Sequence, residues 1–340
     1  LKPITRENPD SCTAADAAGA ISQALPPLQA SSIFSKTSFI QSHQDCVSCH
    51  QQFIPLAAIS LAEKRNVTID TDAKQKLIDL VSVGELKNPE TDWEPLFHPS
   101  PAHSKGYMLF GDANANLPAN EITDSSVHHL AVIQSADGRW CNNMPRPPMQ
   151  SDDVGSTALA IHALQAYPLP GRQAEFIDRV NRARKWLWTV KAENQEERVY
   201  QLLGLAWAGE SPKRLRPLAN ALLAEQRPDG GWAQLQALNS DAYATGLAVY
   251  ALRVGADLPM TQPEIQRGLR YLLNNQLADG TWYVHRRAFP FQPGMESGFP
   301  HERDSWISSA ATSWAIIALS QIEEPPDKAD PTGKMASDNR

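Results

Sequence analysis

The sequence predicts an all-α protein, an (α/α)6 double ring of six helical hairpins, on three observations. Three segments share an apolar helix end, a Gln, an Asp-Gly turn and a Trp. A second kind of helix, rich in small and apolar residues, recurs six times along the chain. Those recurring helices are apolar on nearly every face, as helices of an inner ring must be.

The first kind of element is seen in Leu130–Trp140 (LAVIQSADGRW), Leu222–Trp232 (LLAEQRPDGGW) and Leu272–Trp282 (LLNNQLADGTW). Gln134, Gln226 or Gln276 closes an outer helix with apolar residues at three-to-four spacing. The glycine after each aspartate supplies the positive φ that ends it. The tryptophan is then free to pack back on the helix as a staple between repeats. The second kind reads Thr157–Leu164 (TALAIHAL), Thr245–Leu252 (TGLAVYAL) and Thr312–Leu319 (TSWAIIAL), with Gln201–Ala208 (QLLGLAWA) a weaker copy. Run backwards, the register lands on Gly106–Ala113 (GYMLFGDA) and Pro55–Ala62 (PLAAISLA). Consecutive starts lie about 51, 51, 44, 44 and 67 residues apart. One domain over residues 1–322 follows. Residues 323–340, rich in Pro, Asp and Lys without apolar period, read as a disordered tail.

The Q-x-x-D-G-x-W segments resemble the QW repeats of squalene–hopene cyclases. With the T-x-x-A-x-x-A-L helices, the stretch from about Ile122 to Ile322 is similar to the wider α/α-toroid group that also holds protein prenyltransferases. The resemblance implies the fold more than any activity, since one fold hosts many functions.

Composition narrows the function classes. Apolar residues make up 42% of 340, enough for a sizeable core. A net charge of −7 with no basic run argues against nucleic acid as a partner. No apolar stretch reaches membrane-spanning length. The start at Leu1 without a leader fits a mature exported chain, and a fragment boundary would look the same. Cys12 and Cys141 are left over for pairing in an oxidising compartment.

Cys46-Val47-Ser48-Cys49-His50 is a CxxCH pentapeptide, the attachment pattern of a c-type haem. Cys46 and Cys49 would form the thioethers and His50 would bind the iron. The motif predicts a periplasmic or otherwise exported monohaem cytochrome. It would act in electron transfer to a redox partner protein, or in haem-dependent oxidoreductase chemistry on a small apolar ligand in the ring. The repeat register aligns His50 with Asp152 and Ser240, so the haem is expected at the mouth where inner helices begin. The long connection Tyr283–Trp306 opens on the same mouth. There His301 is the first candidate for the sixth iron ligand, ahead of Met295, Met144, Met149, His103 and His43. Arg286 and Arg287 are candidates for the propionates.

A second reading is a non-redox cyclase or isomerase with Asp152 or Asp153 as general acid. Class II terpene cyclases protonate an alkene with D-x-D-D followed directly by Thr-Ala. Here Gln150-Ser151-Asp152-Asp153 lacks the first Asp, and Thr157-Ala158 comes three residues late. Helix capping competes as the role of both acids, and Asp241 is a cap or a cavity-rim acid. Trp314 and Tyr250 are candidates for cavity-lining, cation-stabilising aromatics. A haem-bearing binding scaffold is the third reading. A zinc prenyltransferase is rejected, because neither Cys12 nor Cys141 falls on an inner helix.

Overall fold

The computed structural model describes residues 2–34, 48–85, 90–94, 100–289 and 297–322. Cys46, His43, Met295, Glu296 and the 323–340 tail therefore lie outside the described residues.

Among the described residues, twelve helices of nine residues or more form six hairpins, each an outer helix followed by an inner one. They are α1 (Ala14–Ser32) with α2 (Ile54–Lys64), α3 (Thr71–Glu85) with α4 (Pro101–Asn114), and α5 (Glu121–Ile133) with α6 (Asp153–Ala166). The second half holds α7 (Gln173–Thr189) with α8 (Gln195–Trp207), α9 (Pro212–Ala224) with α10 (Ala242–Tyr250), and α11 (Pro263–Asn274) with α12 (Ser305–Leu319). Each inner helix packs on the next, and α12 packs on α2, so the inner ring closes. Among the described residues there is no strand, only isolated bridges. No described helix is long and apolar enough to cross a membrane.

Burial follows the two sequence patterns. Every residue of α10 is buried, and in α12 every residue but Trp306. The outer α9 buries Leu215, Ala219 and Leu222, one stripe at helical spacing.

The repeated Gln, Gly, Trp and Thr form one hydrogen-bonded unit. Each tryptophan is fully buried against its own outer helix. Its indole N–H donates to a helix-end carbonyl: Trp140 to Leu130 O at 2.7 Å, Trp232 to Leu222 O at 2.8 Å, Trp282 to Leu272 O at 2.7 Å. Its backbone N–H donates to the first threonine of the inner-helix repeat, at 3.0 Å to Thr157, 2.9 Å to Thr245 and 3.1 Å to Thr312. The glutamine, not the tryptophan, spans repeats. Gln134 Nε2 donates to Gly138 O and across to Arg179 O on α7. Gln226 donates to Gly230 O and to Glu264 O on α11. Gln276 donates to Gly280 O at 2.9 Å and to Ala20 O on α1 at 2.8 Å, joining the last outer helix to the first.

The turn glycine is required twice over. Gly280 has φ +82°, and a Cβ there would lie 2.0 Å from Gln23 O. Where the third hairpin's partner lacks the motif, Gln201 on α8 takes over, donating to Leu187 O at 2.7 Å and Val190 O at 3.0 Å.

Replacing Gln276 with Met keeps the volume but strands the carbonyls of Ala20 and Gly280. We expect a loss of about 1–3 kcal/mol in urea unfolding. Gln75→Met, on an exposed face where Gln75 bonds only Asp79, is the control and should shift the midpoint little. Gly280→Ala should destabilise more than either, through the positive φ and the blocked approach to Gln23. Equal midpoints for the Gln276 and Gln75 variants would remove the joint from the account of ring closure.

Candidate functional site

The first turns of the inner helices gather at one mouth of the ring, and their caps bring acids there. Asp152 caps α6, accepting from Gly155 N–H at 2.7 Å with Oδ1 and from the Ser151 hydroxyl at 2.6 Å with Oδ2. Asp241 caps α10, accepting from Ala244 N–H at 2.8 Å and from Gln234 Nε2 at 2.9 Å. Asp241 is enclosed by protein yet keeps some exposure, as a side chain lining a recess does. Burial raises its pKa to about 6, opposed by the capping bonds and the Arg287 charge. Arg287 reaches Asp241 through a relay, its Nε donating to Gln234 Oε1 at 2.6 Å.

A third carboxyl, Glu196 in the first turn of α8, lies beside them and is 3% exposed. Tyr243 donates its hydroxyl to Glu196 Oε1 at 3.0 Å, while Oε2 is buried with no partner. Burial first, then the Asp152 charge, push its pKa well above the carboxylate range; the Tyr243 bond and Arg287 pull the other way. Tyr107 and Tyr200, hydroxyl to hydroxyl at 2.6 Å, complete the cluster. Sequence reasoning missed Glu196. Its signal was present, because five residues before Gln201 is the position Asp152 holds before Thr157.

The other expected residues separate. Asp153 turns to the outer loop, accepting from Asn142 N–H at 2.7 Å with Arg139 3.5 Å away. His301 bonds Thr281 Oγ1 at 2.7 Å through Nε2 and packs on Tyr283. Arg286 is held at Asp304, its N–H donating to Oδ1 at 3.1 Å. Asp304 also takes the Tyr283 hydroxyl at 2.8 Å and His285 Nδ1 at 3.1 Å, organising this side of the mouth. Met149 is buried and Met144 half-exposed; His103 is buried and bonded to Ser156 Oγ at 2.7 Å. Cys12 and Cys141 are free thiols, Cys141 exposed near Ser135.

Cys49 and His50 open a π-helical turn, Cys49–Phe53, that leads into α2. Ser48 caps it, taking Gln51 N–H at 3.2 Å. Cys49 joins the apolar core. His50 packs edge-on to Trp306 with ring centroids 5.6 Å apart, and its carbonyl takes the Ser309 hydroxyl at 3.0 Å. Burial and the Arg146 charge lower the His50 pKa to about 3, so its ring is neutral.

Further along the axis, aromatic rings from five inner helices meet. Phe110 on α4 has neighbours at 5.3 Å (His162), 5.9 Å (Trp314), 6.2 Å (Tyr250) and 6.3 Å (Trp207). Trp314 and Tyr250 stand 5.6 Å apart, together as expected. The ten residues from Asp152 to His162 put this cluster about 15 Å below the acids.

Comparison with known proteins fits this geometry. A variant of MstE, a type II terpene cyclase from Scytonema in complex with geranylgeranyl dihydroxybenzoate, superposes with a TM-score of 0.57. It covers 91% of this chain and 99% of that one at 13% identity. A variant of UGL with dGlcA-Glc-Rha-Glc gives 0.53 at 14% identity, over 89% of this chain and 96% of that one. A drimenyl diphosphate synthase from Streptomyces showdoensis is 33% identical over 147 residues, 41% of this chain and 25% of that protein. The chain thus covers about a quarter of that relative's length. No family model matches the sequence.

These findings correct the cytochrome reading. The similar proteins include type II terpene cyclases and a drimenyl diphosphate synthase, and none of those named here is a cytochrome. Among the described residues no group of three His, Cys, Asp or Glu side chains gathers to hold a metal ion, and His301 is engaged by the Thr281 hydroxyl. Electron transfer to a redox partner and haem-dependent oxidoreductase chemistry fall as the account of function. The physical reason is that Cys49 and His50 serve the packing of the first inner helix against α12. What stands is the architecture, an α/α toroid similar in fold to type II terpene cyclases.

Proposed function

We propose that this chain is a non-redox, acid-initiated cyclase or isomerase of an isoprenoid substrate held within the ring. The observation that carries this reading is the stacking along one axis of three carboxyls, the buried Glu196 and the part-exposed Asp152 and Asp241, above rings from five inner helices. A protonated carboxyl at the mouth donates to a terminal alkene. The resulting cation then lies among π faces that attract it without reacting as bases. Ring closure by a second alkene and loss of a proton from carbon complete an isomerisation with no oxidant or reductant. Asp152 is the aspartate of the D-x-D-D-like stretch that faces this cluster. Asp241, anionic above its raised pKa, stabilises the cation through space.

The test is incubation of purified protein with linear C15 and C20 prenyl diphosphates and with geranylgeranyl dihydroxybenzoate. A cyclic product of unchanged mass is expected by mass spectrometry. Absence of any isomeric product across the three would count against a cyclase.

Asp241 also gives a pH signature. Its folded pKa of about 6 lies above the ordinary aspartate value of 3.8. The folded state therefore binds more protons between these values, and stability falls as pH rises through that window, by up to about 3 kcal/mol. The same ionisation should raise turnover across pH 6. Asp241→Asn should flatten both trends, monitored by urea midpoints and initial rates from pH 4 to 8.

A further inference from the structure

We propose that Glu196, and neither aspartate of the Ser151-Asp152-Asp153 stretch, delivers the initiating proton, from Oε2, while Tyr243 holds Oε1. This rests on the cyclase reading above and names the acid within it. The argument is one of free atoms. Both Asp152 oxygens are engaged, by the Gly155 N–H and the Ser151 hydroxyl. Asp153 is bound to Asn142 and Arg139 on the outer side. Both Asp241 oxygens are engaged by Ala244 and Gln234. Glu196 alone of the four has a buried oxygen without a partner. An ionised oxygen in that position would be uncompensated, whereas a neutral O–H facing an alkene is not.

The charges around Glu196 divide. Asp152 and Asp241 favour its protonated form, Arg287 and the Tyr243 bond its anion, and burial outweighs the latter two. Tyr107 and Tyr200, also adjacent, are neutral at ordinary pH, since burial raises both phenols. In the step itself the Glu196 O–H bond breaks and its proton adds to the terminal alkene carbon. The π electrons form the new C–H bond, and the cation appears on the more substituted carbon. The second alkene's electrons close the ring, and a proton lost from carbon to solvent leaves a double bond. Solvent then reprotonates Glu196.

Glu196→Gln keeps shape and the Tyr243 contact but carries no acidic proton. Turnover of the prenyl probes should fall by about 100-fold or more, with circular dichroism and the urea midpoint retained. Asp152→Asn removes a neighbouring negative charge, so Glu196 should lose its proton at lower pH. Turnover should persist with its alkaline limb moved to lower pH. Difference infrared spectroscopy of the protein without substrate should show a protonated-carboxyl C=O band at pH 7 that is missing in Glu196→Gln. Turnover that survives Glu196→Gln, or a wild-type spectrum lacking that band, overturns the assignment and leaves a cyclase with another acid. A wild type that converts none of the probes overturns the cyclase reading itself, and the infrared band then reports the state of Glu196 alone.

Discussion

The ring depends on a joint made from three side chains. At each Q-x-x-D-G-x-W turn, the indole N–H donates to a carbonyl in the last turns of the outer helix, where intrahelical partners run out. The inner-helix threonine receives the backbone N–H of the same tryptophan, fixing how the two helices of a hairpin meet. The glutamine amide spends its two protons on two chains, its own turn and the neighbouring outer helix. One local sequence thus sets a hairpin and the step to the next. At Gln276 the neighbour is α1, so the same chemistry that propagates the ring also shuts it.

Closure has a consequence for the chemistry. Six inner helices run in one sense, so their first turns crowd together, and each needs caps for its free N–H groups. Asp152 and Asp241 meet that need and import negative charge as they do so. Helix termini stabilise such anions, but only those whose oxygens the N–H groups reach. A carboxyl two residues past the cap, as Glu196 is, gains burial without serving as the cap. Burial raises the pKa of the Glu196 carboxyl well above the carboxylate range and that of Asp241 to about 6, so position alone sets the two apart.

The parts of this molecule that local spacing controls were legible in the sequence. Trp140, Trp232 and Trp282 announce outer-helix ends because each bonds the leucine ten residues before it, and Thr157, Thr245 and Thr312 mark inner helices because each opens the same small-and-apolar pattern. All six predicted inner segments lie where the repeat puts them, the fifth running on into a π-helical turn. Glu196 was hidden for the opposite reason. Helix α8 begins six residues before its repeat start, against four for α6 and three for α10, so the repeat register and the cap register disagree there. By spacing it matches Asp152; by capping it lies two residues inside the helix, where Asn194 has taken the cap. Gln195-Glu196-Glu197 also reads as a solvated first turn until the ring encloses it.

The CxxCH stretch shows how a short pattern and a long one are weighed against each other. Five residues specify chemistry only if their surroundings leave the reactive atoms available. In the ring, Ser48 is taken by a helix cap, Cys49 by the core, and Gln51 by the carbonyls of Ser31 and Ser297. Gln52 returns to Ser48 and Ser32. Most described residues after the first cysteine therefore have a task in seating α2 between α1 and α12, while the His50 ring packs on Trp306 with its buried Nδ1 unpartnered. The repeats carry more weight because each copy tests the others: three tryptophans, three glutamines and three threonines make the same bonds to within a few tenths of an ångström. A pattern that recurs in space as it does in sequence constrains the whole chain, and function is best sought where that constraint leaves a polar atom unsatisfied.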